Sequence, residues 1–316
     1  MAAPHRIDVH HHILPPRYVE EVGDARIGPL IVSGKTPDWT PAQSVEVMDR
    51  HGISTAVTSM SAPGLWFGNS QATRDLTRHC NDYAAAMRTD HPGRFGVFAA
   101  LPLPDIDASL REIEYALDVL KADGFGLVTN YGGIYPGDRS FAAVFDELNR
   151  RKAVVFFHPN DVPCSTCLGE IPAATLEFPF DTTRAVTSLL YSGTLARCPD
   201  IRFIFSHAGG TIPFLAERIA RLAVRPEFKD KVPNGVLPEL KRLYYDTALS
   251  ANQLAFSALL RLVSTSQILF GTDYPFAPEP TATATVRGLG ELGFSAGDLR
   301  AIECDNALRL MPGLGR

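Results

Sequence analysis

The chain has 316 residues, 45% of them hydrophobic and 21% charged, and 30 basic against 35 acidic side chains leave a net charge of −5. That balance offers no footprint for nucleic acid or an anionic membrane surface, and apolar runs broken by Pro, Gly or charge fall short of the roughly 18 residues of a membrane span. The five cysteines read as reduced thiols and the N-terminus lacks a signal-peptide layout, so the expectation is a cytoplasmic globular protein with residues 1–316 as a single domain.

Along the chain one unit recurs: a short apolar, β-branched run, a turn, then a helical pattern. The runs predict strands over 6–10, 55–60, 95–100, 124–129, 153–157, 201–206, 243–247 and 267–271. Their nearly continuous apolarity is that of parallel strands buried on both faces. Helices are predicted over 44–51, 69–91, 107–121, 141–151, 181–197, 213–221 and 252–263, with a last one over 298–310. Thr40-Pro41, Asp181-Thr182 and Ser250 read as helix starts. Eight such units predict a (β/α)8 TIM barrel. The fold alternative, a doubly wound open sheet, usually has fewer strands and a Gly-rich first turn. Segment 13–37 is too long for an ordinary βα loop and reads as an active-site insertion after the first strand.

Ionisable residues collect where these strands end: His10-His11-His12 after the first, His158 after the fifth, His207 after the sixth and Asp273 after the eighth. In a barrel those ends converge on the face that carries chemistry. Strand alternation points His10 and His12 to the same side and His11 away. With His158 and Asp273 they make a three-His, one-carboxylate set suited to zinc, with manganese or iron as alternatives. Asp8, on the same strand parity as His10, is a candidate partner behind the ligands. Asp273, inside Gly-Thr-Asp-Tyr-Pro, also reads as a turn former. His207 precedes Ala208-Gly209-Gly210-Thr211 and a helix start, where glycines permit close backbone approach and free N–H groups face an anion. It reads first as a general acid/base, with a fifth ligand or a structural turn histidine as the other readings.

The run Ile7-Asp8-Val9-His10-His11-His12-Ile13-Leu14-Pro15 resembles the N-terminal signature of the amidohydrolase superfamily. The branch it resembles is the decarboxylases related to aminocarboxymuconate semialdehyde decarboxylase, among them methylsalicylate and γ-resorcylate decarboxylases. Phe156-Phe157-His158-Pro159, Phe205-Ser206-His207-Ala208-Gly209-Gly210 with Pro213-Phe214, and Gly271-Thr272-Asp273-Tyr274-Pro275-Phe276 fit it in order. Tyr245-Asp246-Thr247-Ala248 and Pro179-Phe180-Asp181-Thr182-Thr183 fit it too. The resemblance implies a distorted barrel with one metal ion per subunit, zinc or alternatively manganese, held by His10, His12, His158 and Asp273, and His207 as the catalytic histidine. Binuclear members of the superfamily bridge two metals through a carboxylated Lys on the fourth strand; residues 124–130 contain none. Arg218 takes the place of an arginine that reaches a neighbouring subunit's substrate, which with the family's habit implies a homodimer or homotetramer. The family's other substrate arginine has no counterpart, since residues 29–39 hold Lys35 and no Arg. A two-carboxylate substrate is therefore not expected.

Aromatic residues sit in the predicted mouth loops: Trp66, Phe67, Tyr131, Phe178, Phe180, Tyr274 and Phe276. With the missing arginine they point to a small aromatic monocarboxylic acid of salicylate or hydroxybenzoate type. Trp66, Phe67, Tyr131, Phe180 and Tyr274, with Arg218, are the candidate substrate contacts. The expected activity is metal-dependent, non-oxidative decarboxylation, with the proton delivered by Asp273 or His207. The alternative is a metal-dependent hydrolase or hydratase of a lactone or cyclic amide, and the remaining one a non-catalytic binding barrel. Cys164-Ser165-Thr166-Cys167 is half a zinc site without a second pair nearby and reads as two reduced thiols.

Overall fold

A computed structural model describes residues 5–162 and 169–314. Eight parallel strands follow one another in sequence order around one sheet: β1 Arg6–His12, β2 Ile53–Ser59, β3 Phe95–Ala99, β4 Gly124–Val128, β5 Val154–His158, β6 Arg202–Phe205, β7 Tyr244–Asp246 and β8 Ile268–Leu269. The backbone after β8 pairs with β1 and completes the ring: Val9 N–H donates to Phe270 O (2.9 Å), Asp273 N–H to His10 O (2.7 Å) and His12 N–H to Tyr274 O (2.7 Å). This is the (β/α)8 barrel that the strand–helix alternation predicts. Closing the ring brings His10, His12 and Asp273 side by side, from opposite ends of the chain.

The barrel interior is packed by Ile7, Val9, Val57, Phe98, Val154, Phe156, Ile204 and Leu269, and Cys304, Ala307, Met311 and Leu314 of the C-terminal segment pack against them. Within β1 the register with β2 slips between Asp8 and His11. Such a bulge breaks strict alternation. Val9 and His10 both belong to the interior, the His10 ring lying 5.0 Å from that of Phe156. Asp8 and His11 therefore share the outer side, where His11 bridges Asp8 (3.1 Å) and Ser44 (2.8 Å) of the first barrel helix.

The helices follow the predicted ones with instructive exceptions. Pro41–Arg50 starts at the Thr40 cap, whose side chain accepts from Gln43 N–H. The fifth barrel helix begins at Ala173, eight residues before the predicted Asp181 cap, and runs to Tyr191 with Pro179 inside it. Asp181 is a fully buried member of that helix, accepting from Thr129 Oγ1, Asn130 Nδ2 (3.0 Å) and the Tyr135 hydroxyl (2.5 Å). Asn252, not Ser250, caps Gln253–Leu262. Helix Glu279–Glu291 is absent from the sequence prediction because its buried side is Ala282, Thr285 and Leu289, too small and mixed to give an apolar stripe. The predicted last helix is two, Ala296–Arg300 and Asn306–Leu310, joined by a wider π turn over Ala301–Asp305. Segment 13–37 carries Pro16–Val22, Asp24–Ile27 and a short turn of helix at Gly28–Leu30, and brings Ile31 and Val32 over the mouth of the barrel.

Candidate metal centre

Four buried side chains converge at the C-terminal mouth: His10 and His12 from β1, His158 from the end of β5 and Asp273 from the chain after β8. Their donor atoms all lie within 4.8 Å of one another. His10 Nε2 stands 3.0 Å from His12 Nε2. Asp273 Oδ1 is 3.1, 3.0 and 3.7 Å from Nε2 of His10, His12 and His158. Two donors each about 2.1 Å from a tetrahedral cation stand roughly 3.4 Å apart, so these spacings match a set converging on one ion.

Three further observations favour a cation. Asp273 Oδ1 is buried without a hydrogen-bond partner among the described residues, although three imidazoles surround it. Every cluster imidazole has its Nδ1 committed behind it: His10 to Asp246 Oδ2 (2.7 Å), His12 to Ser59 O (3.2 Å) and His158 to Pro159 O (2.7 Å). With Nδ1 carrying the proton, each Nε2 presents a lone pair to the same point. The electrostatics agree. Burial holds His158 down to about 3 and lowers His12, which keeps both rings neutral. Burial opposes charge on His10 as well, yet the carboxylates of Asp246 and Asp273 outweigh it and lift that ring to about 10, so that without an ion His10 takes a second proton on Nε2, in the place where a cation would stand. Burial raises Asp273, but the charge of His10 and the imidazoles of His10, His12 and His158 around it outweigh burial and hold the carboxyl well below the usual carboxylate range. The pocket thus draws positive charge to its centre, and the three-nitrogen, one-oxygen set fits zinc or manganese.

Local backbone geometry explains why these residues reach the centre. Asp273 sits at φ +64°, a left-handed conformation that turns its carboxylate back over the barrel. Gly271 is required beneath it, since a Cβ there would fall 2.8 Å from His10 Cβ. Asp8 does not touch the ligand rings. Placed outside by the β1 bulge, it accepts from the N–H groups of His10 and Thr272 (both 3.0 Å) and from Thr272 Oγ1 (2.6 Å). The carboxylate behind the ligands is instead Asp246, at the end of β7. Its Oδ2 meets His10, while Oδ1 accepts from the N–H groups of His207 (2.8 Å) and Ala248 (3.0 Å). The sequence reading gave Asp246 no role, although its position at a strand's C-terminal end was the available signal.

His207 is nine-tenths buried beside the cluster, its ring centroid 5.0 Å from that of His10 and 5.8 Å from that of His158. Neither ring nitrogen has a hydrogen-bond partner among the described residues, and Nε2 stands 3.5 Å from Asp273 Oδ2. Residues 207–210 all adopt positive φ. The glycines here are needed for packing, since a Cβ on Gly210 would lie 2.0 Å from Pro179 O and one on Gly209 2.6 Å from the Tyr245 ring, and Gly210 also lines the cavity above the cluster. The N–H of Thr211 is likewise taken, by Thr183 Oγ1 (2.9 Å).

A cavity of about 530 Å³ opens above these groups, with His158, His207 and Asp273 at its base and Ile31, Val32, Ala62, Phe178, Leu249 and Phe276 among its walls. Among the described residues lining it there is no Lys or Arg. Phe178 and Phe276 are its aromatic walls, at 5.9 Å from the His158 ring and 5.4 Å from the His12 ring. The other aromatic candidates do not line this cavity. Tyr131 packs in the core against Phe141, with Trp66 beside Gly132. Phe67 lies under Arg26, and Tyr274 against His11. Phe180, one position from the next inward face of its helix, is 37% exposed. Arg218 lines a separate cavity of about 570 Å³ with Tyr135, Arg184 and Tyr191, so within one chain it does not share the metal cavity. Cys164 and Cys167 lie outside the described residues.

A family model described as amidohydrolase matches residues 7–312. The chain is 38% identical to decarboxylase yanB of Aspergillus niger, over 97% of this chain and 87% of that protein. It is also 38% identical to the 6-methylsalicylic acid decarboxylase acuB of Aspergillus aculeatus, over 98% and 97%. A solved amidohydrolase II structure superposes with a TM-score of 0.89 at 28% identity, covering 97% of this chain and 99% of that one. Barrel, converging ligand set and matched sequence agree: the chain belongs to the amidohydrolase family.

Proposed function

We propose that the protein is a metal-dependent carboxy-lyase that removes the carboxyl group of a small aromatic acid of salicylate type without oxidation, with a methylsalicylate as the leading substrate. The observation that carries this reading is an arene-sized cavity with walls of Phe178 and Phe276, no Lys or Arg among its described lining residues, and a three-His, one-Asp cluster at its base. Among the described residues of one chain, an acid entering it finds its charge partner at that cluster alone. The relatives named as decarboxylases, one of them of 6-methylsalicylic acid, support the same reaction.

His10, His12, His158 and Asp273 would hold the ion, one per subunit, with zinc preferred and manganese the alternative. When bound, it supplies a Lewis-acid anchor for the carboxylate and the neighbouring phenolic oxygen. Phe178 and Phe276 confine the ring and exclude water from its faces. His207 delivers a proton from Nε2 to the ring carbon that bears the carboxylate, and Asp273 Oδ2, at 3.5 Å, steadies the proton before transfer. The carbon–carbon bond then breaks, its electron pair returns to the ring to restore aromaticity, and carbon dioxide leaves. His207 regains its proton from solvent, so one proton is consumed for each carboxylate lost.

No helix among the described residues is long and apolar enough to cross a membrane. Cys80, Cys198 and Cys304 are free and buried, which supports placement in a reducing cytoplasm. Arg218 would meet substrate only across a contact between two copies of the chain, and Phe214 beside it, 83% exposed, supports a homodimer. The activity is tested by incubating metal-loaded protein with 6-methylsalicylate and following loss of the acid and appearance of the decarboxylated phenol. Turnover of lactones or cyclic amides with none of the acids would replace this reading by hydrolysis.

A further inference from the structure

The three imidazoles of the cluster are backed differently. His12 Nδ1 faces the neutral carbonyl and hydroxyl oxygens of Ser59 (3.2 and 3.1 Å) and His158 Nδ1 the carbonyl of Pro159, whereas the acceptor behind His10 is the carboxylate of Asp246, buried to 0% exposure. The two oxygens of that carboxylate have divided duties. Oδ2 faces the His10 ring, and Oδ1 takes the backbone N–H of His207 together with that of Ala248. His207 lies in a run of four residues at positive φ, a conformation that non-glycine residues hold only when their surroundings fix it.

We propose that Asp246 is a positioning residue which sets the tautomer of His10 and, through the same carboxylate, fixes the backbone from which His207 reaches the cluster. The inference rests on reading His10 as a metal ligand and His207 as the proton donor. Because Oδ2 can only accept, His10 must place its proton on Nδ1 and leave the Nε2 lone pair facing Asp273 and His12. A charged acceptor also makes that nitrogen a stronger donor than its two companions. Because Oδ1 can only accept, the His207 amide has one buried partner and the loop has one place to sit. Metal affinity and proton delivery are thereby coupled through one side chain at the end of β7, the strand that supplies neither ligand nor acid.

Asp246→Asn separates the two arms. Asparagine can keep its carbonyl oxygen toward the two amides, but its NH2 then faces His10 Nδ1, which must become an acceptor and send its proton to Nε2. The expected result is a folded protein whose affinity for zinc, measured by competition with a chelating indicator and without substrate, falls about 10–100-fold. A fall of less than about tenfold overturns the tautomer arm. Asp246→Ala removes both arms. At saturating metal its kcat is expected to lie at least about tenfold below that of Asp246→Asn, the misplacement of His207 being the added loss; equal kcat values overturn the second arm. Should neither variant fold, nitrogen-15 spectra of zinc-loaded wild-type protein decide the tautomer: a proton on Nδ1 of His10 is expected, and a bare Nδ1 overturns it. Wild-type protein that binds no zinc at all would instead sink the metal-centre reading itself, and bound zinc without acid turnover would sink only the decarboxylase.

Discussion

Asp273 Oδ2 faces His207 Nε2 at 3.5 Å, whereas the nearest approach of the three cluster imidazoles is to its other oxygen. One carboxylate therefore separates two kinds of histidine: three that converge on a common centre and one that stands beside it with both ring nitrogens unpaired. His207→Ala should bind metal with wild-type stoichiometry and lose about 100-fold or more in kcat, the usual worth of a positioned acid. Metal content by elemental analysis beside steady-state kinetics checks both halves. Near-normal turnover would remove His207 from the chemistry.

His158→Ala and Asp273→Ala should behave in the opposite way, losing bound metal and activity together. Chelation of wild-type protein should lower its melting temperature, because an ion held only by the folded state stabilises it by about 2.7 kcal/mol at a free concentration of 100 times its Kd. Scanning calorimetry of the chelated and reloaded protein reads that difference. His207→Ala should show the same metal-dependent shift as wild type.

Most of the cluster was legible in the sequence because its members stand at the ends of predicted strands, where the barrel fold dictates convergence. His10 and His12 needed only their spacing; His158, His207 and Asp273 needed the strand assignments. Local reading went wrong where the backbone departs from regularity. The bulge in β1 moved Asp8 outside, against the parity argument. Asp181-Thr182 reads as a helix start but lies inside a helix that runs through Pro179, which concealed Asp181 in the interior. Which loop aromatics face the cavity depends on loop paths that no periodicity encodes, and so Phe178 and Phe276 line it while Tyr131 and Trp66 support the core.

The cavity's composition sets a charge limit on the substrate. With no Lys or Arg among its described lining residues, a second carboxylate on the ring would be buried unpaired at a cost of about 3 kcal/mol or more. That predicts kcat/KM for an aromatic dicarboxylate about 100-fold or more below that of the matching monoacid. Competition between the two acids in one reaction reads the ratio. Equal rates would mean that a cationic group reaches the cavity from elsewhere, and Arg218 of a second copy would be the first to substitute.

Phe276 packs edge-on to His12 at 5.4 Å and forms a wall of the cavity. Its replacement by Ala should weaken substrate binding by about 1.5 kcal/mol or more through lost apolar contact, which is about tenfold in KM. Because Phe276 carries no proton, kcat at saturation should fall far less than in His207→Ala. Matching losses in kcat would assign the ring a part in the chemistry itself.

Asp181 ties the loops after β4 to the fifth barrel helix through Thr129, Asn130 and Tyr135. Asp181→Ala takes the carboxylate away from Thr129 and from Asn130, which keeps Asp161 O as a second acceptor, and should destabilise the protein by about 2 kcal/mol, as loss of hydrogen bonds to a charged group does. Urea unfolding of metal-loaded protein measures it. A change below about 0.5 kcal/mol, the range of ordinary surface substitutions, would show that water or a neighbour replaces the carboxylate.

Release of labelled carbon dioxide tests the central claim most directly. Protein loaded with zinc, and separately with manganese, is incubated with carboxyl-labelled 6-methylsalicylate and a set of hydroxybenzoates, with chelated protein and His207→Ala as controls. The account predicts label in the gas phase at a rate proportional to metal occupancy, abolished by chelation and nearly so by the His207 substitution. Fully metal-loaded protein that releases no label from any of these acids would contradict it.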